Sequence, residues 1–359
     1  LKGHAVAYAT AHAREPTAPA ASALGAGRKR SSEAVPLQAP ALLQAPTSHW
    51  RITSYSGLAH RQPVRLHAKD DDDLAAMEAP DVLADDLRWR EDIRYTLRGG
   101  ADTGNCLHDT LEQLALAPAM ERSALLLQQL QRRGLDQPLR PAGMDERDYA
   151  QRKRRYLPDL VDWLNALTAQ KLLPADGAPL PSLDQLFSGG HTLPEMRFDF
   201  RLGQADREAQ FATINEALGD HGPLGWTGAI SGLMTGAIDL TFVHEGAIYL
   251  ADYKTNMLGA APRFYAQAPM AQAMSARRYH LQYLIYTVAA HRYLRQRLGR
   301  DYDYEHGSYR FGGVFYLFLR GMGLGPEHAG HGLWYTRPSA EAITALDRAL
   351  GADEGGADA

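Results

Sequence analysis

Asp239, Asp252 and Lys254 are the residues whose types and spacing could do chemistry. They lie in the stretch GAIDLTFVHEGAIYLADYKTN, residues 236–256. Aspartate and lysine are poor strand formers, yet the stretch reads as two strands, AIDLTFV and AIYLADYK, joined at HEG. Gly246 supplies the positive φ that a short hairpin loop needs. Asp252 and Lys254 are two apart and so share one face of the second strand. Hairpin pairing brings Asp239, at the start of the first strand, toward Asp252 at the end of the second. Two carboxylates left together repel, and burying them unpaired is costly. A hard divalent cation resolves this: Mg²⁺ takes carboxylate oxygens and keeps several waters. Mn²⁺ or Ca²⁺ would be substitutes. A lysine beside such a site can orient or help deprotonate an attacking water, or offset charge developing on a phosphate. The bland alternative is a surface hairpin with an exposed Asp–Lys pair. Of 38 basic residues only six are lysine, so Lys254 does not stand there through abundance.

The elements that must position these residues can be read on either side. DTGNCLHDTLEQLAL has Leu107, Leu111 and Leu114 at helical spacing, with Thr103 or Asn105 as the expected N-cap. Glu121 to Arg133 is a second helix, ended by Gly134. DERDYAQRKRRYLPDLVDWLNALTAQKLL reads as helices interrupted at Pro158. LPEMRFDFRL alternates, with Met196, Phe198 and Phe200 on one face and Glu195, Arg197 and Asp199 on the other, as in a half-buried strand. MSARRYHLQYLIYTVAAHRYLRQRL is expected to form one long amphipathic helix. In it Gln282 and Tyr286, four apart, share a face, and Tyr279 and Tyr283 lie close by. FGGVFYLFLRG reads as a central apolar strand. PSAEAITALDRAL is a closing helix capped by Ser339. The order predicts a mixed α/β core preceded by an α-rich region.

Residues 1–47, rich in Ala and Pro, are expected to be a disordered linker. Residues 48–90 comprise a short leading strand at Trp50 to Ala59 and an acidic loop around KDDDD. The folded domain is expected over 91–350, with a disordered tail at 351–359. The N-terminus has neither an initiator Met nor a signal-peptide layout, and the chain is expected to be a piece of something longer, or a processed or mispredicted product.

A net charge of −4 does not by itself announce a nucleic-acid binder. Its distribution is more informative. From Thr255 to Arg300 there are seven arginines, 263, 277, 278, 292, 295, 297 and 300, and no Asp or Glu. Such a region suits a polynucleotide backbone, and interleaved tyrosines could stack on unpaired bases. A solvated helix face, or an interface with an acidic partner, would look the same. The single cysteine, Cys106, excludes a disulfide framework and any cysteine-only metal or iron–sulfur site within the chain. It is compatible with a reducing cytosol, and a cytoplasmic protein is expected. No apolar run approaches the roughly 18 residues of a membrane span. No G-x-x-x-x-G-K-[ST] occurs, so no ATP site of that kind is expected in this chain.

An Asp, a hairpin, then Asp-x-Lys resembles the PD-(D/E)XK nuclease superfamily, a restriction-endonuclease-like core with a central mixed sheet flanked by helices. More closely, the chain resembles the RecB-type nuclease domain of exonuclease V. WRITSYSGL, LRGGADTGNCLHDTLEQL, LPEMRFDF, GLMTGAIDLTF, LADYKTNMLG, YHLQYLIYTVAAHRYL and FGGVFYLFLRGM carry the likeness, in order. LRGG departs slightly from the family, which usually has a proline nearby. The resemblance implies a Mg²⁺-dependent DNA nuclease acting in double-strand-break repair and recombination. His108, Asp239, Asp252 and the Tyr253 carbonyl are then metal ligands. Asp239, Asp252, Lys254, Glu195, Gln282 and Tyr286 form the catalytic set, and Arg263, Arg277, Arg278 and Tyr279 contact DNA. From spacing alone, packing suits the tyrosines better, and Gln282 stays open. RecC and RecD subunits are the implied partners, with a RecA-type recombinase as a further candidate. The rival reading is a non-catalytic module that docks partner subunits or a recombinase on a nuclease fold.

Overall fold

The computed structural model describes residues 51–55, 83–175, 177–202, 207–219 and 232–351. The chain divides into two units, 1–47 and 48–359, and every described residue falls in the second. The expected linker, the KDDDD loop and the tail beyond 351 lie outside the described residues.

Among the described residues six strands make the main sheet: β1 (Arg51–Thr53), β4 (Thr192–Leu202), β5 (Gly232–His244), β6 (Ala247–Lys254), β7 (Arg310–Phe318) and β8 (Leu333–Thr336). β2 (Lys171–Leu172) and β3 (Leu180–Ser182) form a separate antiparallel pair. β5 and β6 are the predicted hairpin. Its two-residue turn, Glu245 and Gly246, has positive φ at both positions (48° and 75°), as a type I′ turn requires. β7 lies parallel to β6 and has β8 on its other side, so the apolar run is flanked on both edges. The sheet is therefore mixed.

α1 (Ala101–Leu116), α2 (Arg122–Arg132), α3 (Glu146–Ala169) and α4 (Leu183–Gly189) supply the expected α-rich part. They pack leucines on one face of the sheet, against Leu240, Phe242, Ala251 and Tyr253. α5 (Arg207–Leu218), α6 (Gln267–Ala276), α7 (Tyr279–Leu298) and α8 (Ala340–Ala349) contribute to the core on the other face, with Met196, Met234, Ile238, Leu250 and Tyr316. Ser339 caps α8 through the Ala342 N–H, as read from the sequence. Among the described residues no helix is long and apolar enough to cross a membrane.

Three expectations fail here. α3 runs unbroken through Pro158. Both Pro158 and Arg154, whose carbonyl loses its donor, are exposed, so the missing bond falls on a face open to solvent. The continuous apolar face of Tyr156, Leu160, Trp163, Leu164 and Leu167 holds the helix across it. α1 starts earlier than expected, with Gly100 at the N-cap; Thr103 lies inside, its hydroxyl donating back to the Arg98 carbonyl at 2.7 Å. The single amphipathic helix is instead two, broken at Arg278, whose φ is 57°. Residues 279–290 of α7 are buried all round, which removes the one-sided pattern.

Candidate active site

Regular alternation along β5 breaks at Asp239. Ile238 packs into the core on the α7 side and Leu240 into the core on the α1 side. Residues two apart in a regular strand would share a face. β4 pairs with β5 without gain or loss of a residue, Pro194 with Leu240 and Met196 with Ile238, so Glu195 stands abreast of Asp239. Glu195 has φ 48°, a left-handed conformation that costs about 1–3 kcal/mol in a non-glycine residue. Both strands thus change phase together at this pair of acids.

The other edge of β5 is paired with β1 at Gly232–Met234 and with β6 from Leu240 onward. Between them, residues 235–239 make no ladder pair among the described residues on that edge. The hairpin ladder ends at Leu240 and Ala251, and the Asp239 carboxylate takes over there. It accepts the Tyr253 backbone N–H at 2.7 Å.

His108 reaches this point from α1. Gly104, one turn earlier on the same helix face, would place a Cβ 3.3 Å from the Thr255 hydroxyl, so the helix sits close against the end of β6. His108 Nε2 lies 2.9 Å from the Tyr253 carbonyl and Nδ1 lies 3.4 Å from Asp239 Oδ2. A carbonyl only accepts, so Nε2 carries a proton here. Burial works to raise the Asp239 pKa, but the His108 charge, hydrogen bonds from His108 and the Tyr253 N–H, and the Lys254 charge outweigh it. The carboxyl is held below its ordinary value.

The residues either side of Tyr253 pair with each other. Lys254 Nζ lies 2.9 Å from Asp252 Oδ2, and both side chains are almost wholly buried, 2% and 4% exposed. The ammonium also stands 4.0 Å from the Tyr279 ring centroid and 5.6 Å from that of Tyr316, within cation–π range. Tyr316 lies beside Asp252 in the β6–β7 ladder. Its hydroxyl donates to Gln282 Oε1 at 2.8 Å, and Gln282 Nε2 donates to the Tyr286 hydroxyl at 2.9 Å. Tyr279 donates to Asn256 Oδ1 at 3.2 Å. Burial pushes the Tyr316 and Tyr253 phenols well above their ordinary pKa, so both stay neutral.

His108, Asp239 and Tyr253 are thus brought together, and Asp252, Lys254, Tyr279, Gln282 and Tyr286 share one network. Of the basic candidates, Arg263 forms a bidentate pair with Asp86, 2.8 Å at the closest. Arg277 is half-buried and Arg278 exposed. Tyr279 is buried beneath Lys254 rather than presented to a partner. Sequence reasoning passed over Tyr316 and Asn256. Tyr316 looked like one more aromatic in an apolar strand, and only its place beside Asp252 marks it.

The donors around His108, a carboxylate, a backbone carbonyl and an imidazole, fit a hard divalent cation that completes its shell with water. Among the described residues no three His, Cys, Asp or Glu side chains close to metal-binding distance. Such a cation would therefore draw on the Tyr253 carbonyl and on water.

A mixed sheet flanked by helices, with charged pairs at the end of a central strand, is consistent with a nuclease-like fold. The chain matches subunits named RecB of the RecBCD enzyme. It is 34% identical over 317 residues to that of Escherichia coli (strain K12), covering 87% of this chain and 24% of the relative. It is 33% identical over 316 residues to that of Haemophilus influenzae, 83% and 23%, and 30% identical over 339 residues to that of Mycobacterium tuberculosis, 84% and 28%. The chain is related to the RecB subunits along most of its own length, and spans about a quarter of theirs. No family model matches the chain.

Proposed function

We propose that this chain is a Mg²⁺-dependent DNA nuclease domain of the PD-(D/E)XK kind, part of a RecBCD-type exonuclease V acting in double-strand-break repair and recombination. The observation that carries the reading is the Tyr253 peptide. Its N–H is held by Asp239, its C=O faces His108, and its neighbours Asp252 and Lys254 form a buried pair. Three consecutive residues so fixed are costly to bury unless the charges have work to do.

Asp239, the Tyr253 carbonyl and His108 would hold the Mg²⁺ together with water, and Asp252 would join them only on shifting from its present place against Lys254. The bound ion would supply Lewis-acid stabilisation of the phosphate and a more acidic water. Lys254, aimed by Asp252 and the Tyr279 ring, orients the attacking water and donates toward charge developing on the phosphate. Glu195 adds a carboxylate beside Asp239. Gln282 and Tyr286 hold Tyr316, and through it the lysine, in place. Arg263, Arg277 and Arg278 would meet the DNA backbone, Arg263 on leaving Asp86. RecC and RecD are the partners this reading implies, in keeping with the names of the relatives.

The test is cleavage of linear single- and double-stranded DNA in Mg²⁺ by the wild type and by Asp252→Ala. Equal activity in the two sinks the assignment. Lys254→Gln should lose about 10²–10³-fold in turnover while keeping its affinity for the cation. Lost affinity would make the lysine's role structural.

A further inference from the structure

Arg320 lies in the short turn Leu319–Gly321 that follows β7 and is fully buried. Its guanidinium serves carbonyls from two distant segments. Nε donates to the Thr255 carbonyl at 2.7 Å, one residue past Lys254. The terminal nitrogens donate to the carbonyls of Arg94, Leu97 (3.1 Å) and Arg98 (3.2 Å). Those three carbonyls end a single helical turn, Ile93–Thr96, and the bend that leads into α1. Carbonyls at a helical end have no partner of their own, and buried ones must find one. A planar cation with five donors can serve four of them at once; a lysine ammonium cannot.

The clasp is reciprocal. Arg94 donates from its own guanidinium to the carbonyls of Met322 (3.3 Å) and Gly323 (2.6 Å), just beyond Arg320. The line then continues to the site. The Arg98 carbonyl that Arg320 holds also accepts from Thr103 in the first turn of α1. Gly104, next along, sits against Thr255, and His108 is one turn further on. Arg320 therefore touches both parts that must meet: the end of β6, bearing Asp252, Tyr253 and Lys254, and the root of the helix bearing His108.

We infer that Arg320 is a positioning residue for the site, setting the distance between His108 and the Tyr253 carbonyl. The inference rests on the nuclease reading above, but its test does not need cleavage. Mn²⁺ binding to the full chain, followed by electron paramagnetic resonance, is compared for the wild type, Arg320→Lys and Thr103→Val. Each variant is checked for cooperative thermal unfolding. Arg320→Lys should weaken Mn²⁺ by about 10–100-fold, as loss of a residue supporting a ligand does. Thr103→Val, which leaves the guanidinium in place and breaks only the next link, should weaken it by a smaller factor. In cleavage assays kcat should fall while KM for DNA holds. Wild-type Mn²⁺ affinity in folded Arg320→Lys overturns the inference. If Arg320→Lys does not fold, wild-type affinity in Thr103→Val overturns it alone. A wild-type chain that binds no Mn²⁺ and cuts no DNA sinks the nuclease reading itself, a result plainly different from variants that match an active wild type.

Discussion

The two sides of the end of β6 solve the same problem differently. On the α7 side, Asp252 and Lys254 are shut away from water and walled by Tyr279 and Tyr316. On the α1 side, His108 and Asp239 keep 14% of each side chain exposed and lean on the Tyr253 backbone. The dry side fixes a charge in one place through side chains that have few other places to go. The wetter side presents donors that can exchange water for another ligand. On the nuclease reading proposed above, a lysine that aims and a carboxylate that binds would have opposite needs, and the strand end gives each its own surroundings.

The sharpest way to break this contrast is to neutralise one charge on each side. Asp252→Asn removes the counter-charge 2.9 Å from an ammonium in a dry site and should cost about 3–5 kcal/mol in urea unfolding. His108→Gln on the wetter side should cost about 1 kcal/mol. Equal costs would erase the distinction between the sides. A smaller effect is expected from Tyr316→Phe, which removes only the hydroxyl that Gln282 accepts. It should lose about 1 kcal/mol of stability and several-fold in turnover. A variant with unchanged turnover would show that the tyrosine network merely fills space.

The weakest expected effect is on pH dependence. The folded Asp239 carboxyl titrates below its ordinary value of 3.8. A depressed folded pKa adds stability that is present above the unfolded value and lost as pH falls through the folded one. Wild type and Asp239→Asn should therefore differ most in stability near neutral pH, and the gap should close as acid is added below about pH 4. A gap that stays constant into acid would mean the carboxylate charge is not what holds Tyr253.

Much of this was legible in the sequence because it rests on local rules. The hairpin is announced by alternation and by Gly246, β4 by its period of two, and α8 by Ser339. What could not be read depends on distant partners. Pro158 is tolerated because it and Arg154, whose carbonyl loses a donor, lie on an exposed face of the helix, which a linear pattern does not record. The break before α7 is hidden because its early turns are covered on all sides and lose their polar stripe. Tyr279 carries an aromatic ring next to arginines, the pattern of a base-stacking surface, but the fold turns it under Lys254. Arg320 gives no signal at all: a basic residue before a glycine looks like the end of a strand. The phase change at Asp239 is equally silent, since GAIDLTF alternates no worse than many strands.

That phase change makes β5 one strand shared between two hydrophobic cores, with Ile238 anchored in one and Leu240 in the other. Asp239 is the joint. A cavity opened far from the site in either core, enough to let half of β5 settle by a fraction of an ångström, would turn that carboxylate relative to the Tyr253 peptide. The carboxylate is thus answerable to the packing of both halves of the domain, and leucines that never approach it can spoil its aim.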